Sequence, residues 1–415
     1  MTTAVGFYAD DFTGATDALF QLARCGLHGV LLLRVDPDAV LRHGDRAVVG
    51  VAGISRSLPT SDMRAEVLPA LTALNALEPE VLHYKACSTA DSSPTTGSLG
   101  HAAALGRETT GQADVPVLLA QPDFGRYTAF ATHFAADRGE VFRLDRHPTM
   151  SRHPSTPVDE ADLRVFLARQ TDLPVRSRPF TSYGEATPMP HSPGLTVLDA
   201  LTDDHLAAAG ELILDAPGAF AIGSGGLSRA VGLHLGSSGA ALPTGGAEPD
   251  GVLVVSGSRS AQTGRQIDAA HAAGWPVRAL IVDDLTDEAS VTAWASDHLA
   301  GSGRAVVHSL DLPADVPGLL PRLAELYTAL IGAVRVHRDP TVIVCGGDTS
   351  SRMLRLMGAE SLEIDRHLTG NVVVSRLTAP GAWPDGLRVL LKGGQVGPVD
   401  LFARTLTSPD RSELP

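Results

Sequence analysis

The 415 residues carry 33 Lys and Arg against 47 Asp and Glu, a formal net charge of −14, with 44% hydrophobic and 19% charged residues. The acidic groups are scattered, so no basic surface offers itself to nucleic acid or to an anionic membrane, and the length suits two domains of an ordinary globular protein. The three cysteines, Cys25, Cys87 and Cys345, lie too far apart for a zinc motif or a disulfide framework.

These cysteines point to a reducing compartment. With no basic leader before the first apolar segment and no apolar run of about 18 residues, the expectation is a cytoplasmic, unprocessed chain. Short apolar runs alternate with helix-period segments. In chain order they predict strands at Val5–Ala9, Gly29–Leu33, Ala47–Ala52, Val81–Lys85, Val117–Ala120, Thr196–Asp199 and Phe220–Ile222. A second series follows at Val252–Ser256, Val277–Val282, Ala305–His308, Val342–Cys345 and Val389–Lys392. Strands alternating with helices give the α/β class: two α/β domains, each with a mostly parallel sheet flanked by helices. One helix start is marked by Thr156 as cap, Pro157 at the first position, Asp159 completing a capping box, and an apolar stripe through Leu163, Phe166 and Leu167. Thr181–Pro193 reads as a surface loop. The Gly/Ser/Ala/Pro-rich Gly236–Asp250 reads as a linker between domains at 1–238 and 249–410.

Several segments carry chemistry. FYADDFTGATDAL, from Phe7, delivers Asp10 and Asp11 to a strand's C-terminal end, with Gly14 for a tight turn and a helix from about Thr16. Two carboxylates there suit a general base or a holder of sugar hydroxyls, and equally an acidic turn that caps the helix. In GISRSLPTSD, Arg56 follows a strand end, where a guanidinium can clamp a carboxylate, although a surface Arg is the commoner case. Lys85 opens a loop with Ser88, Thr89 and Asp91, one cation among many hydroxyls. IGSGGLSRA, from Ile222, is a strand, four small residues and a helix whose free N–H groups can hold an anion. Three further strand–turn–helix units, VVSGSRSAQTGRQ, VCGGDTSSRML and LLKGGQVGPVDLF, place small-residue turns where they can converge into a phosphate cradle. No P-loop, GxGxxG after the first strand or protein-kinase signature is present. The residues alone therefore give an anion-binding α/β enzyme. Its fifteen His are scattered, and no metal motif appears.

In order and across nearly the whole chain, these motifs resemble the four-carbon acid sugar kinase family, which includes threonate, erythronate and 3-oxo-tetronate kinases. ADDFTGA (Ala9–Ala15), SRSL (Ser55–Leu58), Lys85 with Ser88-Thr89, PDFGRYT (Pro122–Thr128, with Arg126), HPSTP (His153–Pro157) and GSGGLSRA (Gly223–Ala230, with Ser224, Gly225 and Gly226) resemble its substrate domain. SGSRS, GGDT and KGGQVG resemble its nucleotide domain. The resemblance implies an N-terminal domain that holds the acid sugar, a C-terminal domain that holds ATP with Mg²⁺, and chemistry in the cleft between them. It implies substrate contacts at Asp11, Arg56, Lys85 and Ser88, with Asp11 as general base and Asp10 next in line. ATP contacts are implied at Ser256, Ser258, Gly346, Gly347, Asp348, Thr349, Gly393, Gly394 and Gly397.

Two departures bear on the substrate. Cys87 stands before Ser88 where many relatives have Asp, and KGGQVG stands where relatives often read KSGNFG. The first favours an oxo-acid sugar, such as 3-oxo-tetronate or 3-oxo-isoapionate, over threonate or erythronate. A dinucleotide-dependent oxidoreductase and a silent sugar-acid sensor are the rival classes. The expected partner is a small acid sugar, and a homodimer stays open.

Overall fold

The computed structural model describes residues 3–185, 188–215, 218–237, 242, 249–313 and 315–406. The chain divides into two compact units, 1–241 and 242–415. Most of the Gly236–Asp250 segment lies outside the described residues, as do positions 186 and 187 of the Thr181–Pro193 loop.

The first unit contains strands β1 (Val5–Ala9), β2 (Gly29–Leu32), β3 (Val48–Ala52), β4 (Val81–Lys85), β5 (Asp114–Leu118), β6 (Arg126–Ala129), β7 (Thr132–Asp137), β8 (Glu140–Arg143), β9 (Val175–Arg178), β10 (Gly194–Leu198) and β11 (Ala219–Gly223). Its helices are α1 (Phe12–Ala23), α2 (Pro37–Arg42), α3 (Thr60–Asn75), α4 (Leu99–Thr110), α5 (Leu163–Ala168), α6 (Asp203–Leu214) and α7 (Gly225–Leu235). Eight strands lie parallel in the order β2-β3-β1-β4-β11-β5-β10-β9. The strands β1, β3, β4, β5, β10 and β11 are buried along their whole length. That is why they read as continuous apolar runs rather than alternating ones. Tyr8, Val51, Met63, Leu71, Tyr84, Leu105 and Phe220 are part of one core beneath the sheet.

Two helix starts differ from expectation. α1 begins at Phe12, a turn earlier than Thr16, because Asp11 itself caps it and accepts the Gly14 N–H. α5 begins at Leu163, and the Thr156–Pro157–Asp159 capping box does not form. Asp162 accepts the Arg164 N–H as the cap, while the Thr156 hydroxyl is engaged by Asp91 and His153. The antiparallel β6-β7-β8 meander and edge strand β9 have no counterpart among the predicted strands. They are partly exposed and mix polar with apolar side chains, so no apolar run marks them.

The second unit contains β12 (Val252–Ser256), α8 (Ala261–Ala272), β13 (Val277–Ala279), α9 (Glu288–Ser302), β14 (Arg304–His308), α10 (Leu319–Arg335), β15 (Thr341–Cys345), α11 (Gly347–Met357), β16 (Ser361–Thr369), β17 (Val372–Thr378), β18 (Arg388–Lys392) and α12 (Leu401–Arg404). Its strands run β13-β14-β12-β15-β18-β17-β16, the first five parallel and the last two joining as an antiparallel hairpin. β13 stops at Ala279 instead of Val282, where a 3₁₀ turn over Val282–Leu285 takes over. Val254, Ile267, Trp275, Ile343, Leu390 and Phe402 share its core.

Candidate active site

Ligands of open α/β sheets sit beyond the C-terminal ends of the strands. In the first unit five neighbouring strands, β3-β1-β4-β11-β5, end together, and their next residues supply the cluster. The Asp10 N–H donates to the Lys85 carbonyl at 3.0 Å and the Gly53 N–H to the Ala9 carbonyl at 2.9 Å, fixing the three exits side by side.

Arg56 bridges both carboxylates. Its Nη2 and Nε donate to Asp10 Oδ1 and Oδ2 at 2.7 and 3.2 Å, and Nη1 and Nη2 donate to Asp11 Oδ2 and Oδ1 at 2.6 and 2.9 Å. Asp10 is 2% exposed and Asp11 29%, so only Asp11 opens to solvent. Burial pushes the Asp10 carboxyl up while the Arg56 guanidinium pulls it down, and burial is the larger influence. The carboxylate pair holds Arg56 protonated well above its ordinary value against its own desolvation. Gly14 is required here: a Cβ would stand 2.6 Å from Asp11 Oδ1 and 3.1 Å from Lys85 Nζ. Asp11 caps α1, and its carboxylate still opens to solvent, so the cap leaves room for a role toward a ligand.

Lys85 donates to the Ala86 carbonyl at 3.0 Å and faces Asp17 at 3.6 Å. Asp17 also accepts from Gln121 Nε2 at 3.2 Å, and burial pushes its carboxyl up. Neither Asp17 nor Gln121 was among the predicted site residues. Both lie within or beside quoted motifs, and only the packing of α1 against the β5 exit brings them together. Ser224, Gly225 and Gly226 are fully buried: the Ser224 hydroxyl caps α7 and donates to the Ala120 carbonyl, and Gly225 lies against Asp17 and Gln121.

The loop after β4 is tied down differently. Thr89 meets Cys87 Sγ at 3.1 Å, Asp91 accepts from Thr156, and the Ser88 carbonyl faces His133 Nε2 at 2.8 Å. Burial pushes His133 down to about 4, so it is a neutral strut, as is His83 at about 3. Arg126 stands near this loop, its charge within reach of Cys87. Its Nη1 donates to the carbonyls of Phe124 and Ala136 at 2.7 and 3.1 Å, and it forms no ion pair among the described residues.

In the second unit β12, β15 and β18 are neighbours, and their three turns do converge. The Gly257 N–H donates to the Cys345 carbonyl at 3.1 Å and the Gly346 N–H to the Lys392 carbonyl at 2.9 Å. A Cβ at Gly257 would lie 2.2 Å from Thr349 Oγ1, and Gly346 has φ +116°, so neither turn accepts a side chain. Gly394 packs on Ser258 and Ser260, its carbonyl accepting from Ser260 and Thr263. Gln266 and Gln262 hold the Gly397 carbonyl. Ser256 is fully buried at the end of β12, Gly393 follows β18, and Asp348 is exposed in the first turn of α11. α11 starts at Gly347 without a side-chain cap, leaving its first N–H groups for a ligand. No cluster of three metal-ligating side chains occurs among the described residues, and no helix there is long and apolar enough to cross a membrane.

A carboxylate cluster lies in one unit and a glycine-lined turn set in the other, and the two units match a sugar-binding and a nucleotide-binding domain. Residues 5–231 match a family model described as a sugar-binding N-terminal domain, and residues 253–402 one described as a nucleotide-binding C-terminal domain. The chain is 35% identical to the 3-oxo-isoapionate kinase of Paraburkholderia graminis, over 96% of this chain and 93% of that one. It is 29% identical to a 3-oxo-tetronate kinase of Pseudomonas fluorescens, over 97% and 96%. A solved Salmonella typhimurium LT2 structure shares the fold at TM-score 0.80 and 22% identity, covering 100% of both chains. The chain belongs to the four-carbon acid sugar kinase family.

Proposed function

We propose that the protein transfers the γ-phosphoryl group of ATP to a hydroxyl of a small oxo-acid sugar, 3-oxo-isoapionate or a 3-oxo-tetronate, with Asp11 as the general base. The observation that carries this reading is the Arg56 bridge, which holds two carboxylates at one strand exit and leaves only Asp11 accessible. Asp11 takes the proton of the attacking hydroxyl. Arg56 is already bonded to both carboxylates and acts by positioning them, so the substrate's own carboxylate falls to Arg126, a guanidinium with no acidic partner in contact. Lys85, Ser88, Thr89 and Asp91 complete the substrate side.

ATP phosphates fit the turns at Ser256–Ser258, Gly346–Thr349 and Gly393–Gly397, where the uncapped start of α11 supplies free N–H groups. Mg²⁺ keeps several waters and binds chiefly through phosphate oxygens, so one accessible carboxylate, Asp348, suffices to complete its shell. The ion would neutralise charge on the transferring phosphoryl group. The test is ADP release by purified protein with Mg-ATP against 3-oxo-isoapionate, 3-oxo-tetronates, threonate and erythronate. Release with an oxo-acid that vanishes in Asp11→Asn supports the assignment. Full turnover in Asp11→Asn removes Asp11 from it.

A further inference from the structure

Lysine is nearly absent from this chain. Of its 33 basic residues 31 are Arg, and the two Lys are Lys85 and Lys392. Both are buried, at 3% and 2% exposure, and each is the last residue of an interior strand, β4 in one unit and β18 in the other. A chain that uses Arg everywhere else, and an ammonium only at two buried strand ends, does not spend Lys on solubility. A compact point charge has a local task at both positions.

The two environments differ in one respect. Lys85 has the Asp17 carboxylate at 3.6 Å. Lys392 has no carboxylate among the described residues within ion-pair distance, and its Nζ donates to Thr263 Oγ1 at 3.0 Å. The charged or titratable group that bears on it is the buried Cys345 thiol, which burial pushes toward its neutral form. Desolvation correspondingly lowers the ammonium's pKa. A buried cation without a counter-charge is costly, and an anion that completes it recovers that cost.

Lys392 stands where such an anion would lie. Its carbonyl accepts the Gly346 N–H at 2.9 Å, and Thr263, which accepts from its Nζ, donates to the Gly394 carbonyl at 2.9 Å. Thr263 is the third residue of the twelve-residue α8, and the uncapped start of α11 follows Gly346. We propose that Lys392 is the fixed positive charge behind the phosphate site of the C-terminal unit, tethered by Thr263 and completed by the phosphates of a nucleoside di- or triphosphate. It acts as a positioning residue, and its assignment rests on the nucleotide reading above.

The experiment is calorimetric titration of the full chain with ADP and with AMP, for the wild type and Lys392→Met. The variant loses tenfold or more in ADP affinity, a smaller factor for AMP, and much of the salt dependence of ADP binding. Unchanged ADP affinity, or equal losses for both nucleotides with an unchanged salt slope, overturns the proposal. A wild type that binds neither nucleotide sinks the nucleotide reading instead. If the position tolerates neither Met nor Gln, Thr263→Val makes the same comparison by untying the ammonium, and undiminished ADP affinity in that variant also overturns it.

Discussion

Replacing Arg56 by Met keeps most of the aliphatic stem and removes the charge that two carboxylates share. Four charge-assisted hydrogen bonds disappear, and Asp10, 2% exposed, keeps its carboxylate in the interior without a partner. Losing one partner of a buried pair costs about 3–5 kcal/mol, because the remaining charge stays desolvated. The loss depends on pH in a definite direction. Burial already outweighs Arg56 in raising the Asp10 carboxyl, and without Arg56 the folded-state pKa climbs further above the unfolded one. The folded variant then holds a proton that the unfolded chain has released, so its stability falls as pH rises from the unfolded Asp value through the folded one. The gap between Arg56→Met and the wild type is therefore largest near pH 8 and narrows toward pH 4–5. Urea unfolding followed by far-UV circular dichroism measures it. Trp275, Trp294 and Trp383 all lie in the C-terminal unit, so their fluorescence gives a separate reference transition. A gap under about 1 kcal/mol at pH 8, or one that does not narrow in acid, would refute the account of Arg56 as the counter-charge of a buried Asp10.

Other consequences are equally direct. Gly14→Ala places a methyl 2.6 Å from Asp11 Oδ1, so Asp11 is displaced and kcat falls at least about tenfold, while the weakened Asp11 cap, worth about 0.5–2 kcal/mol, offsets the roughly 1 kcal/mol that Ala gains over Gly in the helix; unimpaired turnover would show that the Asp11 position is not critical. Arg126→Met raises the KM for the acid sugar and leaves the KM for ATP unchanged in steady-state kinetics; equal KM values for the acid would place its carboxylate elsewhere. Asp199 accepts the N–H groups of Phe130 and Ala131 at 2.5 and 3.0 Å, both held at positive φ of 51° and 64°, so Asp199→Asn costs about 1–3 kcal/mol and speeds amide exchange at those two residues. His83, pushed down to about 3 by burial, stays neutral in an NMR titration from pH 8 to pH 4. Its contribution to stability is lost as pH falls below its unfolded value near 6.5, at about 1.4 kcal/mol per unit until the folded pKa is reached.

Which parts were legible in the sequence follows from how each is encoded. The interior parallel strands declared themselves because burial on both faces demands unbroken apolar runs, and the strand-to-helix turns because small residues punctuate them. Motif order placed Asp10, Asp11, Arg56 and Lys85 in one cluster, and the three glycine turns of the second unit converge because β12, β15 and β18 are neighbours. The sequence does not disclose partnership. Whether Arg56 faces a ligand or two aspartates of its own chain depends on the β1 and β3 exits being adjacent, a contact 45 residues long in sequence. The same holds for Thr156, which reads as a helix cap by local rules and instead joins Asp91 across 65 residues, leaving Asp162 to start α5. Local propensity proposes the residue, and the tertiary contact decides its task. Arg126 and Lys392 follow the same logic in reverse: each is a buried or half-buried cation with no carboxylate in contact among the described residues, and that is the ground on which a substrate anion is proposed for each.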